Sequence, residues 1–244
     1  MAGVQGERGR DVARPRARAA GARQSGAGSD DLGASSTPPA SPGQSTSAGE
    51  IASRISLDAD FYDRPVLEVA PALLGCIVEF EGCAGRIVET EAYHHTEPAC
   101  HAYVGLTART SVLYGAPGTA YVYRSYGIHA LLNAVCEPED VGAAVLIRAL
   151  EPLEGLAAMR ERRGAGELTN GPGKLTQAMG IGLTENDTSL VDGPIVIRHG
   201  EPLEYVTGPR IGITKAAELP WRFCALGFRE VSRPWPPGFR ASLR

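Results

Sequence analysis

The run Ile87-Val88-Glu89-Thr90-Glu91-Ala92-Tyr93 sets two carboxylates two residues apart in an otherwise apolar stretch. In a strand, alternate side chains share a face. Glu89, Glu91 and Tyr93 then point one way, and Val88, Thr90 and Ala92 the other. Carboxylates in such surroundings are costly unless they stay in water or are held for a purpose. A solvated edge and an acid–base group fit this pattern equally well, and it does not choose between Glu89 and Glu91. Arg148 stands in Val145-Leu146-Ile147-Arg148-Ala149-Leu150. A buried guanidinium there requires a partner, which Glu91 would supply; at the strand end it would face water instead. Tyr126 sits beside Gly127 at a turn, where Gly, Asn, Asp or Pro is usual. An aromatic side chain at such a tip either folds back on its own strands or serves as a wedge that unstacks base pairs from the minor groove.

Other groupings carry less. His94, His95, Glu97, Cys100 and His101 are residue types that bind zinc, but no second ligand set follows them. Gly171-Pro172-Gly173-Lys174 lacks the spacing of a phosphate-binding loop, although its backbone could meet a phosphate. Arg160, Arg162 and Arg163 form either a basic patch or a solvated helix face.

These residues need elements to hold them. Leu73–Phe80 reads as a helix end passing into a strand, and Gly85–Tyr93 as a second strand. Ala120–Val135 reads as a β-hairpin turning at Ser125-Tyr126-Gly127. Ala143–Leu150 is nearly all apolar and therefore a central strand. A helix is expected from Pro152, a favoured first-turn residue, with Leu153, Leu156 and Met159 inward and Gly164 as its stop. Lys174–Met179 is a shorter helix, and Ile195–Ile197 and Ile211–Ile213 are expected strands. Strands and helices do not alternate regularly, so the expected class is α+β.

Composition bounds the rest. The first fifty or so residues are rich in Arg, Ala, Gly, Ser and Pro and contain no aromatic residue. Such a stretch cannot bury enough surface to offset its ordering entropy. Residues 1–52 are therefore expected to be a disordered tail, and residues 53–244 the folded domain. The formal net charge of −4 argues against a nucleic-acid partner unless a basic face exists locally. The five scattered cysteines suggest a reducing compartment rather than a disulfide framework. No apolar run is long enough to span a bilayer, so no membrane partner is expected.

Four strings occur together and in order: Glu89-Thr90-Glu91-Ala92-Tyr93, Tyr121-Val122-Tyr123-Arg124-Ser125-Tyr126-Gly127, Leu146-Ile147-Arg148-Ala149-Leu150-Glu151-Pro152 and Asn170-Gly171-Pro172-Gly173-Lys174-Leu175. From about Leu57 to Arg233 the chain resembles the alkyladenine (methylpurine) DNA glycosylases, also called 3-methyladenine DNA glycosylases. The resemblance implies a single mixed domain around a curved antiparallel sheet with a protruding β-hairpin. It implies a monofunctional enzyme of base excision repair that needs no cofactor and no metal. That enzyme flips 3-methyladenine, 7-methylguanine, hypoxanthine or ethenoadenine out of double-stranded DNA and hydrolyses the N-glycosidic bond, leaving an abasic site. Glu91 matches the catalytic carboxylate and Arg148 its companion. Tyr93, His101 and Tyr123 match the walls around the flipped base, Asn133 the side chain that screens purines, and Tyr126 the intercalating wedge. Arg109 and Lys174 are expected contacts to the DNA backbone. The chain departs from the family at Thr107-Ala108-Arg109-Thr110, where an Arg-Asn pair is usual, and at Leu131, where a smaller or thiol side chain is common. A monomer of bacterial type, cytoplasmic and nucleoid-associated, is the accompanying expectation. The competing readings are a non-catalytic binder of damaged DNA, a zinc-dependent hydrolase using the His94–His101 cluster, and a carbohydrate hydrolase using Glu89 and Glu91.

Overall fold

Two antiparallel strands dominate the architecture, β2 (Cys83–His94) and β5 (Ala143–Glu154). A computed structural model describes residues 55–243; the expected tail through residue 52 lies outside the described residues. The remaining strands are β1 (Ile77–Phe80), β3 (Ala120–Ser125), β4 (His129–Val135), β6 (Val196–Arg198), β7 (Tyr205–Gly208) and β8 (Arg222–Ala225). They form one curled eight-stranded sheet whose main path runs β3-β4-β5-β2-β1-β6, with β8 pairing both β2 and β7. Every described pairing is antiparallel. The class is thus the α+β type expected. The four α-helices among the described residues are short: α1 (Ala59–Tyr62), α2 (Val66–Ala72), α3 (Leu156–Arg163) and α4 (Pro172–Met179).

The central place of β2 follows from its neighbours. One edge is paired with β5 along almost its whole length. The other edge is divided, with β1 on residues 83–86 and β8 on residues 89–91. Pairing on both edges takes up the backbone groups of the strand, and the face that carries Glu89 and Glu91 is covered by Arg148, Arg222, Ser232 and Ile211. Glu89 and Glu91 are accordingly 0% exposed, which overturns the solvated-edge alternative. The face opposite them carries Val88 and Ala92, which join the main core with Ile147, Leu150 and the α2 residues Val69 and Ala70. Thr90 shares that face and donates its hydroxyl to the Ala70 carbonyl at 2.8 Å, tying α2 to the strand. Truncating Leu150 to Ala in this core would cost about 2–5 kcal/mol.

Two expected elements differ. No helix starts at Pro152; β5 continues to Glu154, with Pro152 opposite Gly85 and Glu151 opposite Arg86. The Arg86–Glu151 ion pair at 3.0 Å supports that register. Gly155, at φ 74°, then turns the chain into α3, whose N–H groups are capped without a side chain. Leu153 therefore belongs to the strand, and of the expected inward residues of the helix only Met159 is fully buried. The second difference is at Ile211–Ile213, which is not a strand. Gly212 at φ 80° bends the backbone there, and the Ile211 N–H serves a side-chain carboxylate instead of a neighbouring strand. All five cysteines are free and buried, and burial pushes the Cys76 thiol up to about 11. Among the described residues, no helix is long and apolar enough to cross a membrane.

Candidate active site

The bulged stretch of β2 holds two carboxylates and draws two arginines toward them. Glu91 Oε1 accepts the Ile211 N–H at 2.7 Å. Its Oε2 accepts the Tyr93 hydroxyl at 2.8 Å and Arg148 Nη1 at 3.1 Å. Glu89 Oε1 accepts Arg148 Nε at 3.0 Å, Arg222 Nε at 2.7 Å and the Ser232 hydroxyl at 2.8 Å. Its Oε2 accepts the Ser232 N–H at 2.7 Å. Two guanidiniums thus face two carboxylates, and each carboxylate oxygen has a donor, which is the condition for charges to persist in the interior. Burial works against the Arg148 charge, but Glu91 and Glu89 beside it hold its pKa above the ordinary value. Arg148 touches both carboxylates, so its position on β5 fixes their relative placement.

Beside this cluster lies an aromatic cleft built on a second, smaller apolar cluster of Cys100, Ala102, Leu113, Tyr121, Val135 and Ala144. A cavity of about 240 Å³ is lined by Tyr93, His101, Tyr121, Tyr123, Asn133 and Arg109, among others. A second cavity of about 360 Å³ shares Tyr93, Tyr123, Tyr126 and Gly212 with it and adds Leu131, Arg148 and Lys174. The shared lining makes them two halves of one cleft. His101 meets Tyr123 edge-on, with ring centroids 4.6 Å apart. Tyr93 lines the same cavity as this His101–Tyr123 pair. Glu91 itself lines neither cavity. Tyr93, which lines both, and Arg148, which lines the second, are hydrogen-bonded to the carboxylate and stand between it and the cleft.

The state of His101 follows from its partners. Arg109 Nη2 lies 3.4 Å from Nε2, and a guanidinium can only donate, so Nε2 accepts. Nδ1 then carries the proton toward the Tyr121 hydroxyl at 3.0 Å. The ring is neutral, in keeping with a pKa lowered first by burial and then by Arg109. Burial likewise pushes the Tyr123 hydroxyl up to about 12, so it stays protonated. The Asn133 amide nitrogen donates to the carbonyls of Tyr121 at 3.0 Å and Leu131 at 3.3 Å, leaving Oδ1 as the amide atom for a ligand.

Tyr126 is 86% exposed and Ile128 73%. They occupy the short turn between β3 and β4, closed by the Ile128 N–H on the Ser125 carbonyl at 3.1 Å. Tyr126 and Gly127 both have positive φ, 49° and 71°, a combination that matches the twist of paired antiparallel strands. Gly takes it freely, whereas a residue with a Cβ is strained by roughly 1–2 kcal/mol. The turn therefore keeps an exposed, strained aromatic where Gly or Asn would fold better.

The expected site residues thus converge around the cleft, with two qualifications. Lys174 has its ammonium held by Glu167 at 3.0 Å and Asn170 at 2.8 Å, so it is less available to an anion than exposed Arg109. The histidine cluster does not gather into a ligand set. His94 contacts Thr96 and Glu137, Glu97 is paired with Arg210, and His101 faces the cleft. Among the described residues, no group of three or more His, Cys, Asp or Glu side chains is placed to hold a metal ion. Reading the sequence missed Arg222, Ser232, Tyr121, Ile211 and Arg210. Only Arg222 carried a signal, the same lone arginine among apolar residues that singled out Arg148.

Residues 60–228 match the family model described as Methylpurine-DNA glycosylase (MPG). Three relatives assigned the name 3-methyladenine DNA glycosylase illustrate the similarity. The chain is 57% identical to one from Rhodopseudomonas palustris over 180 residues, 72% of this chain and 87% of the relative. It is 54% identical to one from Bradyrhizobium diazoefficiens, with 72% and 90% covered. It is 49% identical to one from Methanoculleus marisnigri, with 73% and 100% covered.

Proposed function

Because the chain belongs to the methylpurine-DNA glycosylase family, and so to the DNA-repair hydrolases that cut N-glycosyl bonds, we propose that it removes damaged purines from duplex DNA through Glu91. The observation that carries this reading is the hydrogen bond from the Tyr93 hydroxyl to Glu91. It places a buried, ion-paired carboxylate one side chain away from an aromatic cleft of suitable size for a single base. Ligand cavities run upward from about 300 Å³, and the first half of this cleft, about 240 Å³, suits one flat ring system.

In the proposed reaction the damaged nucleotide leaves the stack, at a cost of a few kcal/mol that is smaller for a damaged pair. Tyr126 enters the vacated space. The purine lies between Tyr93 and the His101–Tyr123 wall, where a ring-alkylated, cationic base gains roughly 0.5–2 kcal/mol per aromatic contact. Neutral His101 adds no repelling charge. A water attacks the sugar carbon C1′ as the C1′–N bond breaks. The bonding electrons leave with the purine, and Glu91 takes the water proton. Glu91 also stabilises the positive charge that develops on the sugar, as carboxylates do in glycoside hydrolysis. A cationic purine departs neutral without further help, whereas hypoxanthine and ethenoadenine need a proton delivered to the ring. Arg148 holds the carboxylate. Asn133 Oδ1 screens the exocyclic edge. Arg109 supplies local positive charge on a chain of net charge −4, and Lys174 contributes less. A monomer acting on chromosomal DNA in the cytoplasm suits this reading.

Full burial of Glu91 is the one observation that favours a non-catalytic damage binder. Incubation with duplexes carrying 7-methylguanine, hypoxanthine or ethenoadenine, with and without Glu91→Gln, distinguishes the two. Free base from the wild type alone supports hydrolysis. Tight lesion binding with no base released supports the binder.

A further inference from the structure

Arg210 lies directly behind Tyr93. Its guanidinium carbon is 4.6 Å from the Tyr93 ring centroid and 5.4 Å from that of Trp221. Its side chain is 0% exposed, and it is paired in two-point fashion with Glu97, Nη1 to Oε1 at 2.7 Å and Nη2 to Oε2 at 3.0 Å. Nη1 also donates to the Ala92 carbonyl at 2.9 Å and Nη2 to the Ala216 carbonyl at 3.2 Å. Glu97 is also held by the Ala99 N–H at 2.8 Å. Tyr93 lines both halves of the cleft and Arg210 lines neither. The face of Tyr93 that Arg210 covers is therefore the one turned away from a bound base.

We infer that the buried Glu97–Arg210 pair sets the preference of the site for positively charged over neutral purines, with Glu97 cancelling a charge that would otherwise repel a cationic lesion through Tyr93. The inference rests on the glycosylase reading and on Tyr93 as a wall of the base site. A purine stacked at about 3.5 Å on the open face of Tyr93 lies on the order of 8 Å from the Arg210 guanidinium. At an effective dielectric constant of about 20, one uncompensated charge at that distance disfavours a cation by roughly 10- to 30-fold. A cation behind the ring also draws on the electron density that the opposite face offers to a second cation. With Glu97 in place both effects are largely cancelled. Arg148, the other guanidinium near Tyr93, is already matched by Glu89 and Glu91.

The test compares 7-methylguanine, a cation, with hypoxanthine, which is neutral, in otherwise identical duplexes. Single-turnover base release over a range of enzyme concentrations gives a half-saturating concentration for each lesion, separate from the rate of the chemical step. Glu97→Gln is expected to raise the half-saturating concentration for 7-methylguanine roughly 10- to 30-fold relative to that for hypoxanthine. Glu97→Gln combined with Arg210→Gln, which removes both charges, is expected to bring the ratio back to within about threefold of wild type. Loosening of the 210–213 loop slows both lesions alike and cancels in the ratio. If Glu97→Gln does not fold, Arg210→Gln alone carries the test. It leaves the Glu97 carboxylate uncompensated, and the preference for 7-methylguanine must rise; no change or a fall overturns the inference. Ratios that stay within threefold of wild type in Glu97→Gln overturn it as well. Release of neither base by the wild type overturns the glycosylase reading and this inference together, whereas wild-type release with unmoved ratios overturns the inference alone.

Discussion

Replacing Glu89 by Gln keeps the side chain's shape and removes one of the two negative charges that face Arg148 and Arg222. All four groups are buried. The remaining carboxylate, Glu91, touches only Arg148 of the two arginines, so Arg222 loses the one charged partner it has among the described residues. Breaking a buried pair by removing one member costs about 3–5 kcal/mol, because the other charge stays behind without compensation. For a domain of this size each kcal/mol lowers Tm by about 2–4 °C, which gives a fall on the order of 6–20 °C. Glu91→Gln is expected to cost less, about 1–2 kcal/mol, because its amide oxygen still accepts the Ile211 N–H, its NH2 can donate to the rotatable Tyr93 hydroxyl, and Arg148 keeps Glu89. Urea unfolding followed by circular dichroism measures both, with an unchanged slope confirming a pure stability effect. Combining Glu89→Gln with Arg222→Gln should be less damaging than the sum of the two, by about 0.5–3 kcal/mol. A loss below about 1 kcal/mol for Glu89→Gln, a larger loss for Glu91→Gln, or simple additivity would mean that Arg222 does not depend on Glu89 for its charge.

Tyr126→Gly relieves the strain of a side chain at φ 49°, so folding stability should hold or rise by up to about 1 kcal/mol while base release slows; a stability loss with normal activity would mean that Tyr126 packs rather than probes. For His101 the folded-state pKa lies below 6.5, first through burial and then through Arg109. Between that pKa and 6.5 the unfolded chain binds more protons, so its contribution to stability rises with pH across this window and is lost toward acid. The acid limb of 7-methylguanine release should likewise fall below pH 6.5, and Arg109→Ala should shift it toward higher pH; a limb that stays in place would remove Arg109 as a cause. Arg109→Ala should also reduce the slope of log affinity against log salt by about 0.9 if it contacts one phosphate. Lys174→Ala should change that slope less, since its ammonium is already held by Glu167; an equal change would show that this pair opens on DNA.

The parts of the fold visible in the sequence were those with local causes. Alternation marked Gly85–Tyr93, an unbroken apolar run marked Ala143–Leu150, and paired apolar arms around Tyr126-Gly127 marked 120–135. The apolar surroundings of Arg148 left both a buried partner and a solvated strand end open, and the structure buries it with Glu91 among its partners. What was hidden depends on distant chain. The alternation does not distinguish Glu89 from Glu91; the difference is made by Arg222 and Ser232 closing on Glu89 and by Ile211 closing on Glu91, beside the local Tyr93 hydroxyl. Strand β7 was missed because Tyr205–Gly208 is mostly exposed and shows little apolar pattern. Ile211–Ile213 looked like a strand because its two isoleucines suit one, yet its first N–H is used by a carboxylate 120 positions away. Pro152 looked like a helix start and instead sits opposite Gly85, where pairing with β2 outweighs local preference.

Glu91 is the group we propose for hydrolysis of the glycosidic bond. The direct measurement is base release from duplexes carrying a single 7-methylguanine or hypoxanthine, with a chelator present, for wild type and Glu91→Gln. Both proteins should first be shown to be folded and to bind the lesion duplex. The wild type is expected to release base whether or not the chelator is present, and Glu91→Gln none above the uncatalysed background. Release by Glu91→Gln at the wild-type rate, or release that the chelator abolishes, would contradict that role for Glu91.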